Sequence, residues 1–591
     1  MPLALRRVCR VWLVSGLLGL LVLAVGLSLV ASQDSVRHTL SHWTGEEDLG
    51  EQIKGTFALL YLRLTRPRPR TAPFVPIAHA GLCPYGVNTF LEQEAEVSKV
   101  DRSLQMIAQA GFCWIRQQFP WEDIEIAGKG DYWDHKWNRS AWAKYDDIVQ
   151  LAEKHGLEII ARLDNPPAWS RSMGNAQGWS LAPPDNYEDY GDFVYAVVSR
   201  YRGRIRYYQI WNEPNIFPEW GDQPADPEAY VELLKIAYRR AKEADPDSVI
   251  LCAGLAQTTE ETPPEFGPRN LSDLLYLQRM YEAGVQGHFE VMGAMVYGLW
   301  TGPYDLRTSR DRTNFSRVQL IREIMVRHGD GDKPIWATEV GWNATPKEFA
   351  RFPNFGRVSE AQQATYAVEA YERAAAEWPW MGVMNYWFFR RPTDAERDQT
   401  MYYFRMVEPD FTPLPVYGAL SDLANQPPTV FVGHHQQDHW ALRYDGPWHE
   451  VSDPDAVLGS YMVGSEGAEL DFFFFGTDLE LVLRGPQLPE EPEIVVDGKT
   501  VRPRNARDQP YPGASVMVVA RGLADTRHRA HIRVTKDALA LDALIVRRRR
   551  PNVIGIGVAC ATAAAWLAAL IYARRTRQRR KPNHLYGSVS D

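Results

Sequence analysis

The sequence predicts a (β/α)8 barrel followed by an all-β sandwich, with a transmembrane helix on each side. Three observations lead to this fold. Short apolar strands alternate with amphipathic helical stretches over residues 76–425, which is typical of parallel βα units. The alternation stops at Gln426-Pro427-Pro428, and short strands and turns follow. Two long uncharged apolar runs lie outside this part, one near each end of the chain.

The first apolar run, residues 11–31, and the second, residues 553–572, are each long enough to cross a bilayer as a helix. A cleaved signal peptide is the alternative for the first run, although a secretory apolar region usually has about 7–15 residues. Basic residues on the terminal side of both runs favour cytoplasmic termini. We therefore expect a membrane partner and a cell-membrane location, with residues 32–552 extracytoplasmic.

The net charge of −9 is distributed unevenly along the 591 residues. Residues 1–10 carry three Arg, and residues 547–591 carry nine Arg, one Lys and one Asp, which together give +12. Residues 11–546 therefore carry −21. An acidic body repels phosphates over most of its surface, so we expect no nucleic-acid partner.

Five segments follow from these patterns. The alternating prolines of residues 65–76 favour extended chain over helix, so the segment that they end is expected to be a spacer. The predicted segments are a cytoplasmic tip with a transmembrane helix (1–32), a juxtamembrane stalk (33–75), the barrel (76–428), the sandwich (429–546), and a transmembrane helix with a basic cytoplasmic tail (547–591).

Seven or eight strands are expected in the barrel, separated by helical stretches such as Pro227–Ala244. The predicted strands are the stretch before Asn88, Phe112–Arg116, Glu158–Leu163, Arg206–Trp211, Val249–Ala253, Val291–Val296, Pro334–Glu339 and Gly382–Trp387. Eight such units fit a closed barrel better than an open doubly wound sheet. No glycine-rich phosphate loop follows the first strand, so we expect no nucleotide cofactor.

The segment 429–546 has short strands and turns without helical stretches, and we expect a jelly-roll-like sandwich there. A structural companion to the barrel is favoured over an independent carbohydrate-binding module. Cys83, Cys113 and Cys252 lie in or beside apolar strand-like runs and are odd in number, so we expect buried free thiols. The sequence contains neither a CxxC pair nor an HExxH motif, and we expect no metal site.

Two glutamates stand at the carboxyl ends of predicted strands, where (β/α)8 barrels place their active sites. The fourth strand ends in WNEPN at 211–215, where the proline stops the strand and leaves Glu213 at the rim. The seventh strand ends in WATEVGWN at 336–343, which contains Glu339. Strands four and seven face each other across the mouth of an eightfold barrel. Two facing carboxylates are what the cleavage of a glycosidic bond requires.

In these motifs the sequence resembles the retaining glycoside hydrolases of clan A, over roughly residues 76–425 and with family 39 or family 5 as the similar members. The resemblance implies that Glu213 is the acid/base, that Glu339 is the nucleophile, and that Asn212 hydrogen-bonds the sugar 2-hydroxyl. The succession of barrel and β-sandwich is similar to family 39, which includes β-xylosidases, α-iduronidases and bacterial exopolysaccharide hydrolases.

Further positions agree with the pattern of that clan. Arg116 is similar to its arginine near the nucleophile, Tyr297 to the tyrosine of its sixth strand, and Trp387 to its sugar-stacking tryptophan. Asn165, after the third strand, is a candidate either for hydrogen bonding to the substrate or for shaping the loop. Trp211 is a candidate for contact with a sugar ring.

The resemblance implies double displacement on a carbohydrate substrate, with the two carboxyl groups about 5–5.5 Å apart. One departure is Met295, because many relatives have a histidine at this place, two positions before the tyrosine. Two other functions stay open: a non-catalytic glycan-binding or exopolysaccharide accessory protein, and a transglycosylase that uses the same site. The sugar, exo or endo action and the oligomeric state also stay open.

Overall fold

A computed structural model describes residues 34–172, 181–260, 269–485, 492–506 and 513–549. Within these ranges the chain forms two N-terminal helices, a (β/α)8 barrel and a two-sheet β-sandwich. Both predicted membrane spans, residues 11–31 and 553–572, lie outside the described residues. The helices inside the described ranges are all too short or too polar to cross a bilayer.

Eight parallel strands form the barrel in chain order. They are β1 Tyr85–Thr89, β2 Trp114–Pro120, β3 Glu158–Asp164, β4 Tyr207–Ile210, β5 Val249–Leu251, β6 Met292–Met295, β7 Ile335–Val340 and β8 Met381–Tyr386. Strand β8 pairs with β1, and the bridges Leu251–Val291 and Leu255–Ala294 join the β5 and β6 segments and close the ring. The predicted barrel is therefore confirmed.

One helix of at least ten residues follows each barrel strand. Numbered along the chain, the helices are α1 Asp34–Thr44, α2 Leu49–Thr65, α3 Val97–Gln109, α4 Ala143–Lys154, α5 Tyr187–Arg200, α6 Pro227–Ala244, α7 Asp273–Glu282, α8 Val318–Arg327, α9 Glu360–Glu377 and α10 Pro415–Ala424. Helix α6 begins where the Asp226 side chain accepts from the Ala229 amide, with Pro227 in the first turn. Its apolar residues at helical spacing, such as Leu234, are buried in the barrel core.

The predicted stalk over 33–75 contains two helices that the sequence analysis did not foresee. They are α1 and α2, which lie within residues 34–65, and the turn between them contacts the barrel. The Arg307 guanidinium, in the loop before α8, donates to the Glu46 carboxylate at 2.6 Å. The first proline of the segment is Pro67, so nothing in the sequence prevents helix formation before it.

Two mostly antiparallel sheets form the sandwich. Their strands are β9 Thr429–Val430, β10 Gly433–Gln436, β11 Arg443–Asp445, β12 Trp448–Ser452, β13 Ser460–Gly464, β14 Glu469–Gly476, β15 Asp478–Arg484, β16 Glu493–Val496, β17 Lys499–Val501, β18 Arg504–Asn505, β19 Ala514–Ala520, β20 Thr526–Arg533 and β21 Leu539–Arg547. One sheet has the order β9-β14-β20-β16-β17 with β11 beside β14, and the other has the order β12-β13-β21-β15-β19-β18 with β10 beside β21. Alternate residues of both sheets, such as Phe472 and Leu544, form a core of their own. The predicted sandwich is confirmed.

Cys83 and Cys113 form a disulfide with their Cα atoms 6.3 Å apart, so the expectation of free thiols is wrong for this pair. Cys252 is a buried free thiol, as predicted. Cys83 lies just before β1 and Cys113 just before β2, and the parallel pairing of these strands brings their starting ends together. This neighbourhood depends on strand pairing, which the spacing of cysteines in the sequence does not reveal.

Candidate active site

An aromatic layer closes the barrel interior below the site. Trp114, Tyr207 and Trp336 contact one another with ring centroids 5.0–5.4 Å apart. Side chains alternate along a strand, so the residues two positions further, such as Arg116 and Gln209, face the same interior. The barrel interior therefore changes from apolar to polar within one layer of side chains. The polar groups lie directly above this buried apolar cluster.

Arg116 connects the two predicted motifs. Its guanidinium donates to Glu339 Oε1 at 3.1 Å, Asn212 Oδ1 at 2.7 Å, Gln209 Oε1 at 2.7 Å and Asn88 Oδ1 at 2.6 Å. Burial lowers the pKa of Arg116 to about 10, so the guanidinium stays charged at neutral pH. Arg116 is thus a buried cation whose hydrogen bonds hold residues from β1, β4 and β7 in one arrangement.

Glu339, near the carboxyl end of β7, has both carboxylate oxygens hydrogen-bonded. Oε1 accepts from Arg116, and Oε2 accepts from the Tyr297 hydroxyl at 2.5 Å. Burial and the charge of Glu339 raise the pKa of Tyr297 well above its usual value, so its hydroxyl remains a donor. These two donors orient the carboxylate and place a positive charge beside it, which suits a carboxylate nucleophile.

Glu213, just after β4, has a different environment. Its backbone has φ +42°, a conformation that costs a non-glycine residue about 1–3 kcal/mol and is commonest at functional sites. Burial raises the pKa of Glu213 well above its usual range, and the neighbouring charges of Glu339 and Glu219 raise it further. The raised pKa favours the protonated form of the Glu213 carboxyl, which is the form that can act as an acid.

The candidate residues Trp211 and Asn165 both have contacts within the protein itself. Trp211 is buried and packs on Tyr190 and Trp220 with ring centroids 5.8 and 5.2 Å away, so its expected contact with a sugar is wrong. The Asn165 carbonyl accepts from the Glu122 amide at 2.8 Å. This main-chain bond agrees with the loop-shaping role of Asn165.

Trp387, just after β8, is partly exposed beside the nucleophile strand. Its amide donates to the Val340 carbonyl at 2.8 Å, and Val340 directly follows Glu339. The indole packs edge-on against Phe90, with centroids 5.5 Å apart, and a cis peptide bond joins Trp387 to Phe388. Trp387 is thus brought to the same rim as Glu339, where an indole can contact a sugar ring.

The sequence analysis missed five polar side chains of the site: Asn88, Arg162, Asp164, Gln209 and Glu219. Arg162 and Asp164 form an ion pair at 2.8 Å inside β3. Polar residues at alternate positions of otherwise apolar strands were a usable signal for the first four. Glu219 lies on the short strand Glu219–Asp222 beyond the barrel, and no strand-end pattern marks it. Among the described residues, no group of three or more His, Cys, Asp or Glu is placed to hold a metal ion.

Comparison with protein families and curated proteins shows a likeness over only a small part of the chain. No family model matches the chain. A protein of Oryza sativa subsp. japonica named beta-glucosidase-like SFR2, chloroplastic, is 25% identical over 122 residues, which cover 20% of this chain and 18% of that protein. The chain thus spans less than one fifth of the length of this relative.

Solved structures similar to this chain include several glycoside hydrolases. A family 39 enzyme from Bacteroides cellulosilyticus WH2 has TM-score 0.42 and 18% identity, over 79% of this chain and 83% of that chain. A GH39 β-xylosidase from Caulobacter crescentus has TM-score 0.41 and 14% identity, over 78% and 98%. A glucosidase from Croceicoccus marinus has TM-score 0.44 and 12% identity, over 81% and 98%. At these scores neither family nor activity is inferred from the likeness.

Proposed function

We propose that this protein is a retaining glycosidase that cleaves O-glycosidic bonds of an extracytoplasmic poly- or oligosaccharide. The observation that carries the proposal is the asymmetry of two carboxyl groups at one rim. Glu339 receives hydrogen bonds from Arg116 and Tyr297, whereas burial and like charge raise the pKa of Glu213 and favour its protonated form. One carboxylate that attacks and one acid that protonates are the two groups that double displacement needs.

In the first step, a carboxylate oxygen of Glu339 forms a bond to the anomeric carbon. The bond from that carbon to the leaving oxygen breaks, and the leaving oxygen takes the proton of Glu213. In the second step, water attacks the anomeric carbon, its proton returns to Glu213, and the bond to Glu339 breaks. The configuration is inverted twice and therefore retained. In this scheme Asn212 binds the sugar 2-hydroxyl and Trp387 contacts the sugar ring.

The experiment uses the full-length protein in detergent with a panel of p-nitrophenyl glycosides. We expect hydrolysis of at least one glycoside, with retained configuration in the first product seen by proton NMR. The corresponding 2-deoxy-2-fluoro glycoside should label Glu339, as found by peptide mass spectrometry. As a matched control, Glu232→Gln on the exposed face of α6 should keep full activity.

Each outcome of this experiment decides a different part of the proposal. Inverted product, or a label on another residue, would refute the mechanism. Absence of hydrolysis across the panel and on isolated cell-surface glycans would refute the enzymatic function. Longer oligosaccharides in place of free sugar would identify transglycosylation at the same site.

We also propose that two membrane spans hold the barrel and the sandwich outside the cytoplasm. The uncharged runs with basic flanks support this, and so does the Cys83–Cys113 disulfide, because disulfides persist in oxidising compartments. Protease added to intact cells should digest the barrel but leave a C-terminal tag protected. Release of the protein from membranes by alkaline carbonate would contradict the anchoring.

A further inference from the structure

We propose that the outward face of α2 is a membrane-docking surface, which lies on the extracytoplasmic leaflet at the level of the lipid headgroups and prefers anionic lipids. The docking surface consists of Phe57, Leu60, Tyr61 and Leu64. The proposal rests on the two membrane spans proposed above and is independent of the glycosidase function.

Helix α2 has the reverse of the amphipathic pattern that most surface helices show. Its buried residues are Gln52, Gly55 and Leu59, so a face with a polar side chain and a glycine contacts the rest of the protein. The docking surface has the spacing i, i+3, i+4 and i+7 and lies on the opposite face. The exposed fractions are 53% for Leu60, 65% for Tyr61 and 77% for Leu64. Such an outward apolar stripe indicates contact with another apolar phase.

Packing fixes the inward face of α2. A side chain at Gly55 would place its Cβ 2.8 Å from Thr44 Cγ2 and 2.9 Å from the Arg307 guanidinium, which is closer than such atoms pack. The Gln52 side chain donates to the Glu46 carbonyl at 2.9 Å. A rotation of α2 that buried the apolar stripe would bring larger side chains into this contact. The stripe therefore faces outward because the fold requires the glycine inside.

Basic residues border the docking surface. Arg63, Arg68 and Arg70 are exposed, and residues 52–91 contain neither Asp nor Glu. An apolar stripe beside arginines is typical of helices that lie in the headgroup region, where tyrosine is also enriched. The positive charges favour a leaflet that contains anionic lipids.

Both proposed spans join the chain at elements that contact α2 or the segment after it. Helix α1, which contacts α2 through Thr44, begins at Asp34, three residues after the first apolar run. At the other end, the Arg547 guanidinium lies 4.8 Å from the ring centroid of Phe74, in the segment after α2. Extended chain spans at most about 3.6 Å per residue, so the second run, at residue 553, begins within about 22 Å of Arg547. The bilayer is thus held close to this side of the protein.

Docking of α2 gives the barrel a defined orientation. Arg322 on α8 donates from Nε to the Thr71 carbonyl at 3.0 Å, so the segment after α2 runs beside α8. Helix α8 follows β6 and α4 follows β2, and these strands are four positions apart in the ring of eight. The α8 side of the barrel therefore faces the bilayer, and α4 faces away from it.

The experiment measures the access of water-soluble and apolar probes to a nitroxide label on α2. The full-length protein is reconstituted in vesicles made of equal parts of phosphatidylcholine and phosphatidylglycerol. Leu64→Cys carries the label in a background with Cys9→Ser and Cys560→Ser, since Cys252 is buried and the other two cysteines form the disulfide. Gln150→Cys, on the exposed side of α4, is the matched control. Electron paramagnetic resonance measures collisions of each label with a nickel chelate in water and with oxygen, which concentrates in hydrocarbon.

We expect the label at residue 64 to collide about tenfold less often with the chelate than the label at residue 150, and more often with oxygen. Joint substitution of Arg63, Arg68 and Arg70 by Gln should reduce the difference in chelate collisions about twofold or more, because the attraction to anionic headgroups is lost. Thermal melts verify that the labelled variants are folded. If Leu64→Cys lowers Tm, Tyr61→Cys provides a second position on the same face.

Equal chelate collisions at the two positions would overturn the docking surface. Fewer collisions with both probes at residue 64 would show that a second copy of the chain covers α2, which would overturn it as well. An unchanged difference in the arginine variant would overturn the preference for anionic lipids. Release of the protein by alkaline carbonate would overturn the spans and this proposal together. Retention with a freely accessible label would overturn the docking surface alone.

Discussion

The ends of β4 and β7 both present a glutamate to the cleft, but the two carboxyl groups have different neighbours. At β7, Arg116 and Tyr297 donate to both oxygens of Glu339. At β4, burial and the charges of Glu339 and Glu219 raise the pKa of Glu213 well above its usual range. The comparison teaches that one residue type acquires two roles here, because donors favour a charged carboxylate whereas burial and like charge favour a protonated acid.

Removal of the acid at the β4 end has the largest expected effect. In Glu213→Gln, kcat/KM should fall by about 10²–10⁴-fold on glycosides with poor leaving groups. Dinitrophenyl glycosides should be affected far less, because their leaving oxygen needs no proton. The wild type should lose activity as the pH rises through the raised pKa of Glu213, and the variant should lack this limb. Equal losses with good and poor leaving groups would place the acid elsewhere.

Removal of the cation that donates to the β7 glutamate has the second-largest expected effect. Arg116→Met leaves the buried Glu339 carboxylate without its charged partner, which should lower the free energy of unfolding by about 3–5 kcal/mol. Because a preorganised donor is also lost, kcat/KM should fall about 10²–10³-fold. Arg116 lowers the pKa of Glu213, so the alkaline limb should move to higher pH in the variant. Kinetics across pH and a thermal melt measure both effects. A limb that moves to lower pH would contradict the electrostatic assignment.

Loss of the second donor at β7 has a smaller expected effect. Tyr297→Phe removes one hydrogen bond to a charged group, worth about 1.5–3 kcal/mol, so kcat/KM should fall about 10–10²-fold. The ring contact with Phe404 remains, and Tm should change little. In the control Tyr403→Phe, the lost hydroxyl bonds only to the Arg397 carbonyl, and activity should be kept. Equal activity of the two variants would show that the Tyr297 hydroxyl does not contribute to the reaction.

The disulfide at the opposite end of the barrel should have the smallest effect on activity. Replacing Cys83 and Cys113 by serine should leave kcat/KM of the folded protein unchanged. The 30-residue separation predicts a loss of about 3–4 kcal/mol in the free energy of unfolding. Urea unfolding and a thermal melt measure this loss. A fall in activity without unfolding would show that the lower end of the barrel influences the site.

Local patterns in the sequence were sufficient to predict much of the fold. The eight barrel strands and the change to a sandwich follow from hydrophobic periodicity, which depends on neighbours a few residues apart. Glu213 and Glu339 could be identified because each stands in a distinctive motif at a strand end. Glu219 could not, because it lies on a short strand beyond the barrel and no periodic pattern marks it.

The sequence by itself determined the order of strands and helices in the barrel, the two glutamate motifs and the uncharged runs near both ends. Each of these features consists of contiguous residues. The tertiary structure alone decided which side chains meet. It paired Cys83 with Cys113, placed Trp211 in the core, and set Arg116 between the two motifs. The physical reason is that pKa values, ion pairs and disulfides depend on distances between residues far apart in the chain, and only the closed barrel sets those distances.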